Sequence, residues 1–174
     1  MRLILPIALA SVLLSGCSPI RTYENLSQNT EISLTTHVGG QVLKVERSSD
    51  LPNAFGKADL FGGKIDKGFT ELRYQGMTPD GRPVFRLTEI ETTSTETTMS
   101  RYGGRTTNFN VQSYGNQSYG TINSYAAPSG DTERLPPNTT EFAVPVKRRT
   151  FDVGNVRVTI MSFDETSIVY SLSR

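Results

Sequence analysis

Two side chains in this sequence are reactive types that occur only once. Cys17 is the only cysteine and His37 is the only histidine. A zinc or copper site built from His and Cys ligands needs several such side chains, so the sequence predicts no such site. His37 directly precedes Val38-Gly39, which favours a half-exposed place at the end of a strand. A nucleophilic triad that uses His37 is the one catalytic arrangement left open.

Two familiar catalytic motifs are also missing. No serine lies in a Gly-x-Ser-x-Gly elbow. Residues 58–65 have the second glycine and the lysine of a phosphate loop, but they lack its first glycine, and Ile65 stands where Ser or Thr would bind magnesium. The sequence therefore predicts a non-catalytic protein without metal or cofactor.

Cys17 follows an N-terminal segment with the layout of a secretory signal. Met1 and Arg2 form a short positive head, residues 3–14 are mostly apolar, and small residues come next. A transmembrane helix needs about 20 apolar residues, so this run is too short to span a bilayer. A buried core helix is the second alternative, but the run is apolar on all sides rather than along one stripe. The remaining alternative for Cys17 is a buried core thiol.

The sequence Leu14-Ser15-Gly16-Cys17 resembles the lipobox of a bacterial lipoprotein signal. The resemblance implies that residues 1–16 are removed as a signal peptide. It also implies that the Cys17 thiol carries a diacylglycerol and that its new amino group is acylated. Ser18, where an Asp would retain such a protein in the inner membrane, implies the outer membrane, with the domain facing the periplasm. The resemblance covers about a tenth of the chain, and residues 18–174 resemble no family.

The composition of the mature chain bounds its class. Removal of residues 1–16 leaves 158 residues with 17 basic and 17 acidic side chains, a size that suits one domain. Balanced charge predicts no general attraction to nucleic acid. Abundant Thr, Ser, Gly and Asn favour strands and turns over helices. We expect a mainly β fold in which antiparallel hairpins form a small sandwich or an open barrel.

Three hairpins are predicted from alternating apolar residues on either side of a turn. The first joins residues 32–38 and 41–47 through Gly39-Gly40, with Thr36 opposite Leu43 and Leu34 opposite Val45. The second joins residues 69–75 and 82–90 through Thr78-Pro79-Asp80-Gly81, with Tyr74 opposite Phe85 and Leu72 opposite Leu87. The third joins residues 156–160 and 168–172, with Ile160 opposite Ile168, Val158 opposite Tyr170, and Val156 opposite Leu172.

A long polar segment interrupts this pattern. Residues 17–30 are predicted to be the lipidated N-terminus and its tether, and residues 31–174 a single β-rich domain. Within that domain, residues 91–140 are predicted to be a low-complexity insertion, exposed or partly disordered. Tyrosines on a Ser, Gly and Asn background make good contact surfaces, so four of them are candidate partner-contact residues, a solvated loop being the alternative: Tyr102, Tyr114, Tyr119 and Tyr125.

These features favour a lipid-anchored envelope protein that acts as a structural or protein-interaction module, with an envelope protein as its partner. The alternative is a periplasmic small-ligand-binding or inhibitor module with a pocket in the β domain. A hollow interior would favour the alternative, and a solid core would favour the interaction module. The oligomeric state is left open.

Overall fold

The computed structural model describes residues 18–102, 106–114, 117–125 and 130–174, and for residues 106–125 it describes the backbone. The chain divides into two compact units. We call one the sandwich unit, which comprises Tyr23–Ser48, Lys67–Thr92 and Arg134–Arg174. We call the other the ribbon unit, which comprises Met1–Thr22, Ser49–Asp66 and Thr93–Glu133.

Antiparallel strands make up most of the described chain, which confirms the predicted fold class. One sheet has six strands: β1 (Thr22–Leu26), β3 (Gln41–Asp50), β4 (Lys64–Met77), β5 (Pro83–Ser94), β8 (Thr132–Arg134) and β9 (Asn138–Ala143). Its order is β1-β3-β4-β5-β8, and β9 also pairs with β5. A second sheet has the order β10-β11-β12-β2 and consists of β2 (Leu34–His37), β10 (Thr150–Val153), β11 (Val156–Phe163) and β12 (Ser167–Ser173).

The remaining elements belong to the ribbon unit. A short helix, α1 (Thr98–Tyr102), precedes β6 (Thr106–Tyr114) and β7 (Gln117–Tyr125). The strands β6 and β7 form a two-stranded antiparallel sheet of their own, which we call the ribbon. The predicted tether, 17–30, thus contains β1, and the predicted insertion, 91–140, contains α1 and β6 to β8.

The sandwich unit is built around one apolar core to which both sheets contribute. Leu43, Tyr74 and Phe85 on one sheet are fully buried, as are Val158 and Ile168 on the other. Alternate residues of each strand carry these side chains, as expected for strands with one face on a core. Burial of this many large apolar groups is the main stabilising contribution to the unit.

An aromatic cluster lies inside this core. The ring centroid of Phe85 lies 5.1 Å from that of Phe151, 5.8 Å from that of Tyr74 and 5.9 Å from that of Phe142. Edge and offset contacts of this kind stabilise a core beyond the area they bury. The Tyr74 hydroxyl donates to the carbonyl oxygen of Asp164 at 2.6 Å, which satisfies the one polar atom of the side chain. The interior of the sandwich unit is therefore filled with side chains.

The second predicted hairpin is confirmed in its register. In β4 and β5, Tyr74 pairs with Phe85 and Leu72 pairs with Leu87. The Thr78 amide bonds the Arg82 carbonyl at 2.8 Å across the turn, and Gly81 has a φ of 78°, which glycine adopts without strain.

The third hairpin is confirmed as a pair, but its predicted register is wrong by two residues. The observed partners are Val158 with Leu172 and Ile160 with Tyr170. The turn lies later in the chain than predicted, because β11 extends to Phe163 and β12 begins at Ser167. The Asp164 carboxylate accepts the Thr166 and Ser167 amides there at 2.8 and 2.7 Å, and β11 carries an irregularity beside Ile160. The hydrogen bond from the Thr166 hydroxyl, together with these amide bonds, lowers the pKa of the Asp164 carboxyl to about 2. A shift of two residues preserves the predicted faces, so Tyr170 is buried as expected.

The first predicted hairpin is wrong. The strand β2 pairs with β12, where Leu34 lies opposite Tyr170 and His37 opposite Ser167, and the following strand, β3, belongs to the other sheet. Gly39-Gly40 is therefore a crossover between sheets. The Gly39 amide bonds the Tyr74 carbonyl at 2.7 Å, and the Tyr74 amide bonds the Gly40 carbonyl at 3.1 Å. A Gly-Gly pair permits a tight bend, but it does not select which neighbour the next strand takes.

Candidate functional site

The ribbon brings three of the four candidate tyrosines onto one face. Tyr119 pairs with Gln112, and Tyr114 pairs with Gln117. Cross-strand partners share a face, and so do residues two apart on one strand. The register therefore places Tyr114, Tyr119 and Tyr125 on one face, and the apolar residues Phe109, Val111 and Ile122 on the other. We call the first of these the tyrosine face. Sequence composition singled out these tyrosines, but their common face follows from the strand register.

Hydrogen bonds join the chain just before α1 to the chain just after β7. The Thr95 amide bonds the Asp131 carbonyl at 2.9 Å, and the hydroxyls of Ser94 and Thr132 lie 3.0 Å apart. Glu96 forms a salt bridge with Arg101 of α1, and the hydrogen bond that this carboxylate accepts raises the pKa of the Arg101 guanidinium. The two ends of the segment between Glu96 and Asp131 are thus held together by hydrogen bonds between the residues that flank it.

Tyr102 lies apart from the tyrosine face in the chain, at the last position of α1. Its side chain is 57 % exposed, and its ring centroid lies 6.1 Å from that of Phe61 in an edge arrangement. Tyr102 therefore lies against the loop between β3 and β4 and is not part of the paired strands of the ribbon.

That surface is a group of exposed apolar side chains in the ribbon unit, which sequence reasoning missed. Phe55, Leu60 and Phe61 lie on the loop between β3 and β4, and Met99 and Tyr102 lie one turn apart on α1. Their exposed fractions run from 87 % at Phe55 to 57 % at Tyr102. We call these five residues the apolar surface. Three large apolar residues within a Gly-rich loop were the available signal.

The sandwich unit also carries open clefts: one of about 430 Å³ lies beside Met77, and one of about 330 Å³ lies beside Phe142. The second has more apolar residues in its walls. Half-buried Phe142 and Leu87 and buried Phe151 supply apolar wall, and Arg148 and Glu89 supply charge at the rim. The volume is at the lower end of the range for small-molecule sites.

Three further observations concern the histidine, metal binding and membrane-spanning helices in the described part of the chain. His37 is the exposed last residue of β2, as predicted. Across residues 18–102 and 130–174, no three His, Cys, Asp or Glu side chains lie close enough together to hold a metal ion. In the same part of the chain, no helix has both the length and the apolar character needed to cross a membrane.

Cys17 lies outside the described residues, so its predicted lipidation stays a prediction. The next residue, Ser18, is described, and its carbonyl oxygen accepts the Ala58 amide at 3.0 Å. Ala58 lies on the loop that carries Phe55, Leu60 and Phe61. The position that follows Cys17 is thus bonded to the loop of the apolar surface.

The fold belongs to the broad class of antiparallel two-sheet β proteins. Comparison of the chain with protein-family models, with curated proteins and with solved structures finds no match in any of the three.

Proposed function

We propose that this chain is a lipid-anchored protein of the bacterial cell envelope and that it acts there as a non-catalytic protein-interaction module. Cys17 is the lipidation site, and the anchor holds the protein at the periplasmic face of the outer membrane. The partner is another envelope protein. The observation that carries the interaction role is the tyrosine face, because the register aligns Tyr114, Tyr119 and Tyr125 on one side of the ribbon.

The anchor is supported by the lipobox-like Leu14-Ser15-Gly16-Cys17 at the end of a short apolar run. Each methylene buried in a bilayer contributes about 0.8 kcal/mol, and one myristoyl chain alone binds only marginally. The lipoprotein class carries two chains on the cysteine sulfur and one on the amino group. A protein with three chains stays on its membrane, so its partner must come from the same compartment.

A tyrosine face suits protein contact for a physical reason. Tyrosine offers a large amphipathic area with two rotatable side-chain bonds, so its ordering on binding costs little entropy. Paired strands fix the backbone beneath, which lowers that cost further. The same face carries Asn108, Asn110, Gln112, Gln117 and Asn123, whose amides both donate and accept hydrogen bonds. Such a face fits a partner surface of mixed apolar and polar character.

A small-ligand module is the second candidate, and the cleft beside Phe142 favours it. The filled core of the sandwich unit favours the interaction module instead, because a ligand carrier of this fold holds its cargo in a hollow interior. The cleft is the place where a ligand would bind if the second candidate is right.

Site-specific photocrosslinking in intact cells tests the interaction role. A photoreactive phenylalanine analogue replaces Tyr119 in one full-length variant. In the control it replaces Ser118, the next residue along β7, which the register places on the opposite face. We expect discrete crosslinked protein bands from position 119 and a much weaker signal from position 118. Equal crosslinking from both positions, or none from either, would contradict the proposed contact face.

A further inference from the structure

The apolar surface is built on a loop whose backbone is held in place. The Leu51 amide bonds the Gly63 carbonyl, and the Asp59 amide bonds the Leu51 carbonyl, each at 2.8 Å. Leu51 is fully buried and Ala58 is 9 % exposed, so two loop side chains point inward. The exposure of Phe55, Leu60 and Phe61 is therefore a consequence of how the loop folds.

The helix α1 is joined to this loop, which places a helix side chain of the apolar surface beside a loop side chain of the same surface. The Thr98 amide bonds the Pro52 carbonyl at 2.7 Å, and the Thr98 hydroxyl donates to the Asp59 carboxylate at 3.0 Å. These bonds bring Tyr102 onto Phe61. Single exposed apolar residues are common on protein surfaces, whereas a contiguous group marks a surface that something covers.

The described chain begins at this same loop. The Ser18 carbonyl accepts the Ala58 amide at 3.0 Å. The Asp50 amide donates to the Arg21 carbonyl at 3.0 Å, and the Arg21 amide donates to the Asp50 carboxylate at 2.9 Å. Consecutive Cα atoms lie 3.80 Å apart across a trans peptide bond. Cys17 immediately precedes Ser18 in the sequence. Acyl chains on Cys17 would therefore be attached one residue before a position that is bonded to the loop.

The charge on the loop is favourable for an anionic lipid surface. Lys57 is exposed and lies between Phe55 and Leu60 in the sequence. The acidic residue of this loop, Asp59, is half-buried, and its two oxygens accept the Thr98 hydroxyl and, at 3.1 Å, the Gly63 amide. A lysine among Phe and Leu side chains is typical of segments that lie in the interface of an anionic bilayer.

From these contacts we infer that the apolar surface rests in the interface of the lipid bilayer to which Cys17 is anchored. This inference rests on the proposed lipidation of Cys17. The bilayer is its occupant, rather than a protein, because the anchor would attach lipid one residue before the position that is bonded to Ala58. High local concentration makes even weak apolar contacts persist. Phe, Leu, Met and Tyr side chains then replace water contacts with contacts to headgroups and upper acyl chains.

The depth of a probe on the loop tests this inference in the acylated full-length protein. Acylation consumes the Cys17 sulfur, so a second cysteine is the only free thiol available for labelling. Phe61→Cys carries a polarity-sensitive fluorophore in one variant. Val146→Cys is the control, because Val146 is 47 % exposed and belongs to the sandwich unit. Both proteins are reconstituted into vesicles of phosphatidylethanolamine and phosphatidylglycerol, with or without nitroxide groups on the acyl chains.

We expect the fluorophore at position 61 to emit at shorter wavelength and to lose at least half of its intensity to the nitroxide lipids. The fluorophore at position 146 is expected to emit as in water and to be quenched by soluble iodide. Vesicle-bound protein whose two fluorophores behave alike would overturn the inference and leave the anchor intact. Shielding at position 61 only after addition of envelope proteins would assign the surface to a protein partner. If the protein does not float with the vesicles and Cys17 still has a reactive thiol, Cys17 carries no lipid. That result would overturn the proposed anchor itself.

Discussion

In the sandwich unit Tyr74 and Phe85 are fully buried, whereas in the ribbon unit Phe55 and Phe61 are 87 % and 79 % exposed. Aromatic side chains thus stabilise the core of the sandwich unit and lie exposed on the surface of the ribbon unit. Strands with one buried face explain the first case, and a loop held by backbone hydrogen bonds explains the second. The difference indicates that aromatic side chains stabilise the sandwich unit by burial, whereas the aromatic side chains of this loop contribute little to a core.

Truncation of one buried and one exposed aromatic residue should give the largest contrast. Tyr170 is 2 % exposed in the core, so Tyr170→Ala should lower the free energy of unfolding by about 3–5 kcal/mol. Phe61→Ala should change it by less than about 0.5 kcal/mol. Denaturant titration of both variants on the soluble Cys17→Ser background measures the two effects. Similar losses of stability would show that the exposed loop contributes as much to the free energy of unfolding as the buried core does.

Two glycines offer a comparison of backbone constraint. Gly68, in β4, has a φ of 96°, and a Cβ there would lie 1.9 Å from the carbonyl oxygen of Ile90. Gly56, in the loop, has a φ of 68° with open space around it. Gly56→Ala should cost about 1–2 kcal/mol from the left-handed conformation alone. Gly68→Ala adds a backbone clash and should cost clearly more, as the melting temperatures of the two variants will show.

The stability of the sandwich unit at alkaline pH should depend on its buried tyrosines, Tyr170 among them. Burial raises the pKa of Tyr170 from 10.0 to about 12. Between these values the unfolded chain loses its proton first, so the stability present below pH 10 falls as pH rises toward 12. Tyr170→Phe should flatten this part of the stability curve. Melting temperatures of the two proteins from pH 9 to 12 test this, and an identical slope in the wild type and the variant would refute it.

Removal of the ribbon should have the smallest effect on stability and a large effect on binding. The strands β6 and β7 pair with each other, and the buried core cluster lies in the sandwich unit. Replacement of residues 106–125 by a short Gly-Ser turn should leave the circular dichroism transition of the core in place and abolish capture of the envelope partner. Loss of the cooperative transition would mean that the ribbon is part of the core structure, and a full set of captured partners would mean that it is a passive loop.

The fold was predictable where local chemistry fixes the pairing. Pro79-Asp80-Gly81 sets the turn between β4 and β5, and the register followed to the residue. The alternation of apolar and polar residues in β2 predicted the correct face for Leu34. Alternation does not identify the neighbouring strand, however, and β2 pairs with β12 instead of β3. The later position of the turn and the irregularity in β11 explain the two-residue error in the third hairpin. The apolar pattern could not reveal this error, because an even shift leaves the pattern unchanged.

The candidate site was predictable in part. Composition identified Tyr114, Tyr119 and Tyr125, since few aliphatic residues accompany them, but their common face depends on a register that composition does not encode. The apolar surface was missed because Phe55 and Phe61 follow no helix or strand period. Their exposure depends on the buried position of Leu51 and on the bonds from α1, which are tertiary features.

The central claim, that Cys17 anchors this protein to a membrane, is tested most directly by metabolic labelling. Bacteria that express the wild-type chain or Cys17→Ser are grown with a radioactive fatty acid and then separated into soluble and membrane fractions. We expect label on the wild-type protein in the outer-membrane fraction, and an unlabelled Cys17→Ser protein that is no longer held in the membrane as an acylated chain. A Cys17→Ser protein that still carries the label and still sediments with membranes would contradict this account.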